Sequence, residues 1–180
     1  MPTIHIKATP YKIKTWTVLR LPPEASSKLP SRGQVMVKGT INGLDFQTVL
    51  EPDGSGSHWL NIDKNMHDSA KVISGHAATL EIEPTKSWPE PNIPADIKEG
   101  LADNPHTKTL WMDITPMSRW EWIRWIASTN VPETRKRRIE VSASKLANGW
   151  RRPCCFNRNM CCVPGVSKNG ILLGPAQTDK

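Results

Sequence analysis

The spacing of hydrophobic residues changes at one proline-rich segment, and this change constrains the fold more than any other feature of the chain. Residues 84–94 contain four prolines in eleven positions. Proline removes a backbone donor and disfavours helix in the residue before it, so this segment predicts a linker. Apolar and polar residues alternate before it, as in strands, whereas the spacing after it fits helices. A chain of 180 residues is long enough for two small domains.

The N-terminal half predicts a small β-barrel. Ile4 and Ile6 alternate with polar neighbours, and similar runs follow at TWTVLRL, QVMVKGTI, LDFQTVL, HWLNI and TLEIE. Asn42-Gly43 lies between two of these runs and accepts the positive φ angles of a two-residue hairpin turn. Short strands with turn signals between them are typical of a barrel rather than a parallel sheet. NMHDSAK predicts a brief helix inside the barrel.

The C-terminal half predicts three helices. The first is ADIKEGLA, and the second is Trp-rich and begins at a capping box formed by Ser118 and Glu121. The third covers VPETRKRRIEVSASKLANG, with Pro132 in its first turn and Gly149 at its end. The expected fold class is therefore α+β, with a small β-barrel domain at 1–84, a linker at 85–94, a helical domain at 95–150 and an irregular cysteine-containing tail at 151–180.

Two segments resemble known families. Residues 115–149, a Trp-rich helix followed by PETRKRRI and LANG, resemble the bacteriocin-protection family, also called YdeI/OmpD-associated. Residues 16–83, with GQVMVKGTINGLDF and PDGSGSHWL, resemble a small domain of unknown function that often precedes it. The resemblance implies a double-split β-barrel followed by a helical domain, and it implies no established enzymatic activity. Members often carry a lysine just before the PETR run, where this chain has Thr129-Asn130.

Positive charge is concentrated in one segment. Residues 115–158 hold ten Lys/Arg against three Asp/Glu, whereas residues 1–114 hold 12 against 13. Such a segment attracts acidic partners, and guanidinium groups make paired hydrogen bonds to phosphates. The alternative is a solvated helix face whose arginines pair with the near-neutral barrel. The residues predicted to contact an acidic macromolecule, with nucleic acid as one candidate, are Arg135, Lys136, Arg137, Arg138, Lys145, Arg151, Arg152 and Arg158.

Aromatic residues accompany these cations. Trp150 and Phe156 could stack on exposed bases. The remaining tryptophans of this half lie at helical spacing, which is more often typical of a core than of a ligand site. Trp120 falls outside the main apolar arc of its helix, so it is predicted to be the exposed one.

Four cysteines lie within nine residues near the C-terminus, namely Cys154, Cys155, Cys161 and Cys162. As thiolates they could hold zinc, although the CC-x5-CC spacing differs from the two-residue knuckle of most structural zinc sites. Nearby arginines favour the thiolate form, which also suits oxidation sensing. A thiol- or zinc-dependent stress sensor is therefore the alternative function, and no metal or cofactor is assigned.

No pattern in the sequence indicates catalysis. The loop Gly54-Ser55-Gly56-Ser57-His58 could offer backbone N–H groups to an anion, with His58 as an acid or base, but a hairpin connection is the simpler interpretation. The loop lacks the Gly-Lys-Ser/Thr ending of a P-loop, and the five histidines are scattered. We therefore expect a protein that is not an enzyme.

The sequence also gives expectations about the cellular location and the overall role of the protein. No stretch approaches the roughly 20 consecutive apolar residues of a membrane span, and the N-terminus has no apolar core of a secretory signal. The sequence thus predicts a non-enzymatic cytoplasmic binding protein linked to bacteriocin or stress tolerance. Barrels of the implied type commonly pair hairpins between chains, so a homodimer is a further expectation.

Overall fold

The structure is a computed structural model, and it describes residues 2–14, 16–129, 131–153, 165–167 and 171–175. The chain divides into two compact units. The first, here called the sheet unit, comprises Met1–Ser87 and Pro164–Lys180. The second, here called the helical unit, comprises Trp88–Val163.

One curled antiparallel sheet forms the body of the sheet unit. Its strands are β1 (Ile4–Ala8), β2 (Tyr11–Ile13), β3 (Trp16–Arg20), β4 (Val35–Ile41), β5 (Leu44–Pro52), β6 (His58–Asn61) and β7 (Ala78–Pro84). The seven strands lie in the order β1-β7-β4-β5-β6-β3-β2. Strand β5 joins the two halves of the sheet, because residues 44–50 pair with β4 and residues 51–52 pair with β6.

The predicted hairpin at Asn42-Gly43 is confirmed. Both residues have positive φ, 48° and 82°, as a two-residue turn of type I′ requires. Within the sheet, Ile41 and Leu80 lie opposite each other and are fully buried in the main core. The exposed Lys38 lies on the other face of its strand, so the alternation predicted from the sequence separates core from solvent.

Two short helices and the C-terminal residues complete the sheet unit. The helices are α1 (Pro23–Ser26) and α2 (Lys64–Asp68), of which the sequence predicts the second. Near the C-terminus Val166 and Leu172 form an antiparallel bridge, and the Leu172 amide donates to the Asp53 carbonyl at 2.9 Å. These C-terminal residues therefore belong to the sheet unit although they follow the helices in sequence.

The helical unit contains four helices, named here in chain order within the described residues. They are α3 (Ala95–Ala102), α4 (Pro105–Asp113), α5 (Pro116–Ala127) and α6 (Pro132–Ala147). The sequence predicts α3, α5 and α6 but not α4, because only Thr107 and Trp111 of α4 are buried and no apolar stripe results. Its local signal is Asn104, whose side chain caps the helix by accepting from the His106 amide.

The predicted capping box at Ser118 and Glu121 is wrong. Thr115 is the N-cap of α5, and its hydroxyl accepts from the Ser118 amide at 3.2 Å. Helix α5 therefore begins at Pro116, a residue whose missing N–H costs nothing in the first turn. Glu121 lies in mid-helix and is buried. The predicted α+β class, a barrel-like N-terminal sheet followed by helices, is confirmed.

Candidate polyanion-binding surface

Helix α6 carries most of the residues predicted to contact an acidic partner. Pro132 occupies its first turn, and Gly149 follows its end with φ of 82°, which glycine adopts without strain. Ile139, Ser142 and Leu146 are buried on one side of the helix. Each residue turns the helix by about 100°, so the four consecutive cations from position 135 to 138 point in different directions.

Arg135 is paired with an acid of the same unit. Its Nε and Nη2 donate to the two carboxylate oxygens of Asp96 at 2.5 Å and 3.0 Å. The hydrogen bond from Arg135 lowers the pKa of Asp96 below its ordinary value, and the carboxylate in turn raises the pKa of Arg135. This bidentate pair joins α3 to α6 and leaves Arg135 little freedom to bind another anion.

The Asp96–Arg135 pair predicts a pH-dependent stability. Replacing Asp96 by asparagine should lower the free energy of unfolding by about 0.5 kcal/mol at neutral pH, because the pair is partly exposed. Since the native pKa of Asp96 is depressed, its contribution is present above the unfolded pKa and is lost as pH falls through the native value. The difference between wild type and Asp96→Asn in urea unfolding should therefore shrink as pH falls from 5 to 3.

The control for this prediction is Asp103→Asn on the exposed end of the same helix. Asp103 follows α3 and has no partner among the described residues. We expect this variant to differ little from wild type at any pH. A stability loss in Asp96→Asn that stays constant from pH 7 to pH 3 would contradict the assignment.

Three further arginines of the basic segment also meet carboxylates of the helical unit. Arg119 donates to both oxygens of Glu90, Arg151 contacts Asp113 at 2.8 Å, and Arg152 lies 3.6 Å from Glu121. Three of the paired carboxylates precede the basic segment in sequence, namely Glu90, Asp96 and Asp113. A count of charges within residues 115–158 therefore overstates how many cations are unpaired. Four arginines, counting Arg135, therefore pair with carboxylates of the helical unit, where the sequence offers pairing with the barrel as the alternative.

Of the residues predicted to contact an acidic partner, four have no carboxylate partner among the residues that the structure describes: Lys136, Arg137, Arg138 and Lys145. Lys136 and Arg137 are exposed. Arg138 donates through Nη1 to the Trp125 carbonyl and the Ser128 hydroxyl, both at 2.7 Å. Its guanidinium carbon lies 5.4 Å from the centroid of the Trp125 ring. Both hydrogen bonds use Nη1, and Nε and Nη2 of Arg138 make no hydrogen bond to another described residue.

The exposed tryptophan is Trp150 and not Trp120. Trp150 is 51% exposed, and the Lys145 ammonium lies 5.1 Å from its ring centroid. Trp120 is half-buried, and its indole N–H donates to the Pro89 carbonyl at 2.7 Å. The prediction that Trp120 is exposed is wrong, because its indole binds the proline-rich segment, a contact that helix periodicity cannot reveal.

The backbone amides of the Gly/Ser loop are bound by a side chain next to the loop. One Asp53 oxygen accepts from the amides of Ser55 and Ser57, both at 2.8 Å, so these amides are already satisfied. His58 is fully buried. Its Nε2 lies 2.8 Å from the Gly33 carbonyl, which can only accept, so Nε2 carries a proton, and Nδ1 contacts the Ser26 hydroxyl. This geometry fits the simpler interpretation of a hairpin connection.

Several predicted residues lie outside the described part of the chain: Arg158, Phe156 and the cysteines Cys154, Cys155, Cys161 and Cys162. The zinc and thiol hypotheses that depend on them stay predictions. Within the described ranges, no three or more His, Cys, Asp or Glu residues are grouped so as to hold a metal ion. The helices described here include none that is both long and apolar enough to span a membrane.

The fold is that of an α+β protein with a curled antiparallel sheet and a helical unit. Residues 3–82 match the model of DUF1905, a domain of unknown function. Residues 90–149, which include α3 to α6, match the family described as Bacteriocin-protection, YdeI or OmpD-Associated. The two matched segments lie in the order that the resemblance implied, the DUF1905 match first and the YdeI/OmpD-associated match after it. No curated protein matches the chain significantly.

Proposed function

We propose that this protein is a non-enzymatic binding protein of the bacteriocin-protection type, and that α6 contacts an acidic macromolecule. The observation that carries the proposal is the set of four cations, Lys136, Arg137, Arg138 and Lys145, that meet no carboxylate in the described structure. The acids of α6 are Glu133 and Glu140, so its four unpaired cations leave the helix with a net positive charge. A cytoplasmic location and a homodimer stay predictions from the sequence.

The proposed contact depends on several weak ionic interactions that act together. A single exposed cation gains little from one anion in water. A polyanion that meets several cations releases its condensed counterions, so its affinity falls steeply as salt rises. Lys136 and Arg137 lie about 100° apart around α6, so a flexible or curved polyanion fits them better than a flat acidic surface.

Reversing the two exposed charges of α6 should weaken polyanion binding. We expect wild type to bind immobilised heparin at low salt and to elute as salt rises. The double variant Lys136→Glu/Arg137→Glu should bind at least about tenfold more weakly, because two attractive contacts become repulsive. Heparin is the probe because it is a polyanion without bases, and elution salt with a binding titration gives the measurement.

The matched control is Lys98→Glu/Lys108→Glu. These lysines are exposed on α3 and α4 of the same unit, so the control changes the net charge by the same amount. It should retain most of the heparin affinity. Equal losses in both double variants would mean that net charge alone governs binding, and wild type that does not bind heparin at low salt would refute the proposal.

A further inference from the structure

One flank of α6 carries two cations that each lie over a tryptophan ring. Arg138 lies over Trp125 at 5.4 Å, and Lys145 lies over Trp150 at 5.1 Å. The two cations are seven residues apart, and seven steps of about 100° return to nearly the same side of a helix. We call these four residues, Trp125, Arg138, Lys145 and Trp150, the indole–cation flank.

The two tryptophans of the indole–cation flank differ in how much of their surface is exposed to solvent. Trp125 is half-buried and meets Trp122 edge-on, with 6.0 Å between the ring centroids, so it belongs partly to the core. Trp150 is 51% exposed although it is a large aromatic residue. Lys145 lies over the Trp150 ring, and half of the residue's surface is exposed. The flank therefore offers one stacking surface beside two positive charges.

The backbone holds this arrangement in place. The Trp150 amide donates to the Lys145 carbonyl at 3.0 Å across the turn at Gly149. The Trp122 indole N–H donates to the Arg151 carbonyl at 3.2 Å, which fixes the chain directly after Trp150. Asp113 is paired with Arg151, and Glu121 lies 3.6 Å from Arg152. Neither Lys145 nor Arg138 forms an ion pair with a carboxylate among the described residues, so both keep their charge for a ligand.

We propose that the indole–cation flank binds single-stranded nucleic acid, with a base stacked on Trp150 and phosphates contacting Lys145 and Arg138. This inference rests on the proposed function and names the class of its acidic partner. Indole–base stacking tolerates every base, and a positively charged surface beside the ring follows the backbone. The two cations lie about 10 Å apart along the helix, which is the length of about three stacked nucleotides.

A single strand fits this flank better than a duplex does. The face of a paired base is covered by its neighbours in the stack, so only an unstacked base offers it to an indole. A duplex would meet the cations alone and gain nothing from Trp150. An acidic protein would also meet the cations without needing an exposed ring, so the ring is the observation that separates the classes.

The test compares single strands with a duplex and with heparin. Labelled 15-nucleotide oligo-dT and oligo-U, a 15-base-pair duplex and heparin are titrated at 50 and 200 mM salt. Wild type should bind both single strands more tightly than the duplex, with roughly tenfold or greater loss at the higher salt. Trp150→Leu, which keeps an apolar side chain but removes the ring, should bind single strands about 5- to 100-fold more weakly. Trp150→Tyr should stay within about threefold of wild type.

Two further variants separate stacking from charge and from folding. Lys145→Gln should reduce the slope of log affinity against log salt by about 0.7 for single strands, because one phosphate contact is lost. Met112→Ala removes another exposed apolar residue of the helical unit, and its affinity should equal that of wild type. Trp150→Leu should keep the thermal midpoint of wild type, since half of the ring is exposed.

The outcomes distinguish this inference from the function on which it rests. A duplex bound as tightly as a single strand, or a Trp150→Leu variant with wild-type affinity for oligo-dT, would overturn the inference. If heparin binding persisted in that case, the proposed contact with an acidic macromolecule would stand. Wild type that binds neither heparin nor any oligonucleotide would refute the proposed function itself.

Discussion

Replacing Arg119 by methionine is expected to lower the free energy of unfolding of the helical unit by about 3 kcal/mol. Arg119 is only 5% exposed. Its Nη1 donates to the backbone carbonyls of Trp111 at 2.9 Å and Ile114 at 2.6 Å, where α4 ends. Its Nε and Nη2 donate to Glu90 at 3.0 Å and 2.6 Å. One side chain therefore holds the end of α4, the start of α5 and the proline-rich segment together.

The size of this effect follows from what each partner does after the arginine is lost. Methionine keeps the apolar stem but leaves the carbonyls at the end of α4 without donors, and each buried unsatisfied group costs about 1–3 kcal/mol. The Glu90 side chain is 65% exposed, so its carboxylate returns to water at little cost. Most of the loss therefore comes from the carbonyls and not from the ion pair.

Hydrogen–deuterium exchange of residues 105–127, with urea unfolding of the whole protein, measures this change. Arg119→Lys should fall between wild type and Arg119→Met, because an ammonium cannot reach the carbonyls and the carboxylate together. Arg137→Met is the control, since Arg137 is exposed and should change stability by less than about 0.5 kcal/mol. Equal losses in Arg119→Met and Arg137→Met would show that Arg119 does not stabilise the unit in this way.

Arg119 also shows where sequence reasoning about this protein succeeds and where it fails. The hairpin at Asn42-Gly43 and the start of α6 at Pro132 follow from signals within a few residues, and both are predicted correctly. From the sequence alone, Arg119 cannot be distinguished from the other cations of the basic segment. Its partner Glu90 lies 29 residues away, and its carbonyl partners lie where α4 ends and the chain turns into α5.

The candidate surface is predicted only in part for the same reason. The sequence identifies the cations of α6 and the aromatic Trp150, because both are visible in composition and spacing. It does not reveal that Asp96 pairs with Arg135, nor that the Trp120 indole donates to the Pro89 carbonyl. These are contacts between elements distant in sequence, and they decide which charges and rings stay free. The structure therefore narrows the unpaired cations among the described candidate residues to four on α6.

Replacing Gly39 by alanine is expected to lower the free energy of unfolding of the sheet unit by about 4 kcal/mol. Gly39 lies in the middle of β4, opposite Ile82 of β7, with φ of 157°. A Cβ atom at this position would lie 1.8 Å from the Glu81 carbonyl oxygen, which belongs to the backbone and cannot move aside alone. Strands β4 and β7 would have to separate, and both carry residues of the main core.

Gly43 in the turn of the same hairpin is the matched control for Gly39. Its φ is 82°, but a Cβ atom there would meet nothing within 4 Å. Gly43→Ala should therefore cost about 1 kcal/mol of backbone strain and leave the pairing of β4 with β7 intact. Urea unfolding and hydrogen exchange of residues 35–52 and 78–84 compare the two variants. Equal stability of Gly39→Ala and Gly43→Ala would contradict this explanation, because it would show that close approach of β4 and β7 does not require glycine at position 39.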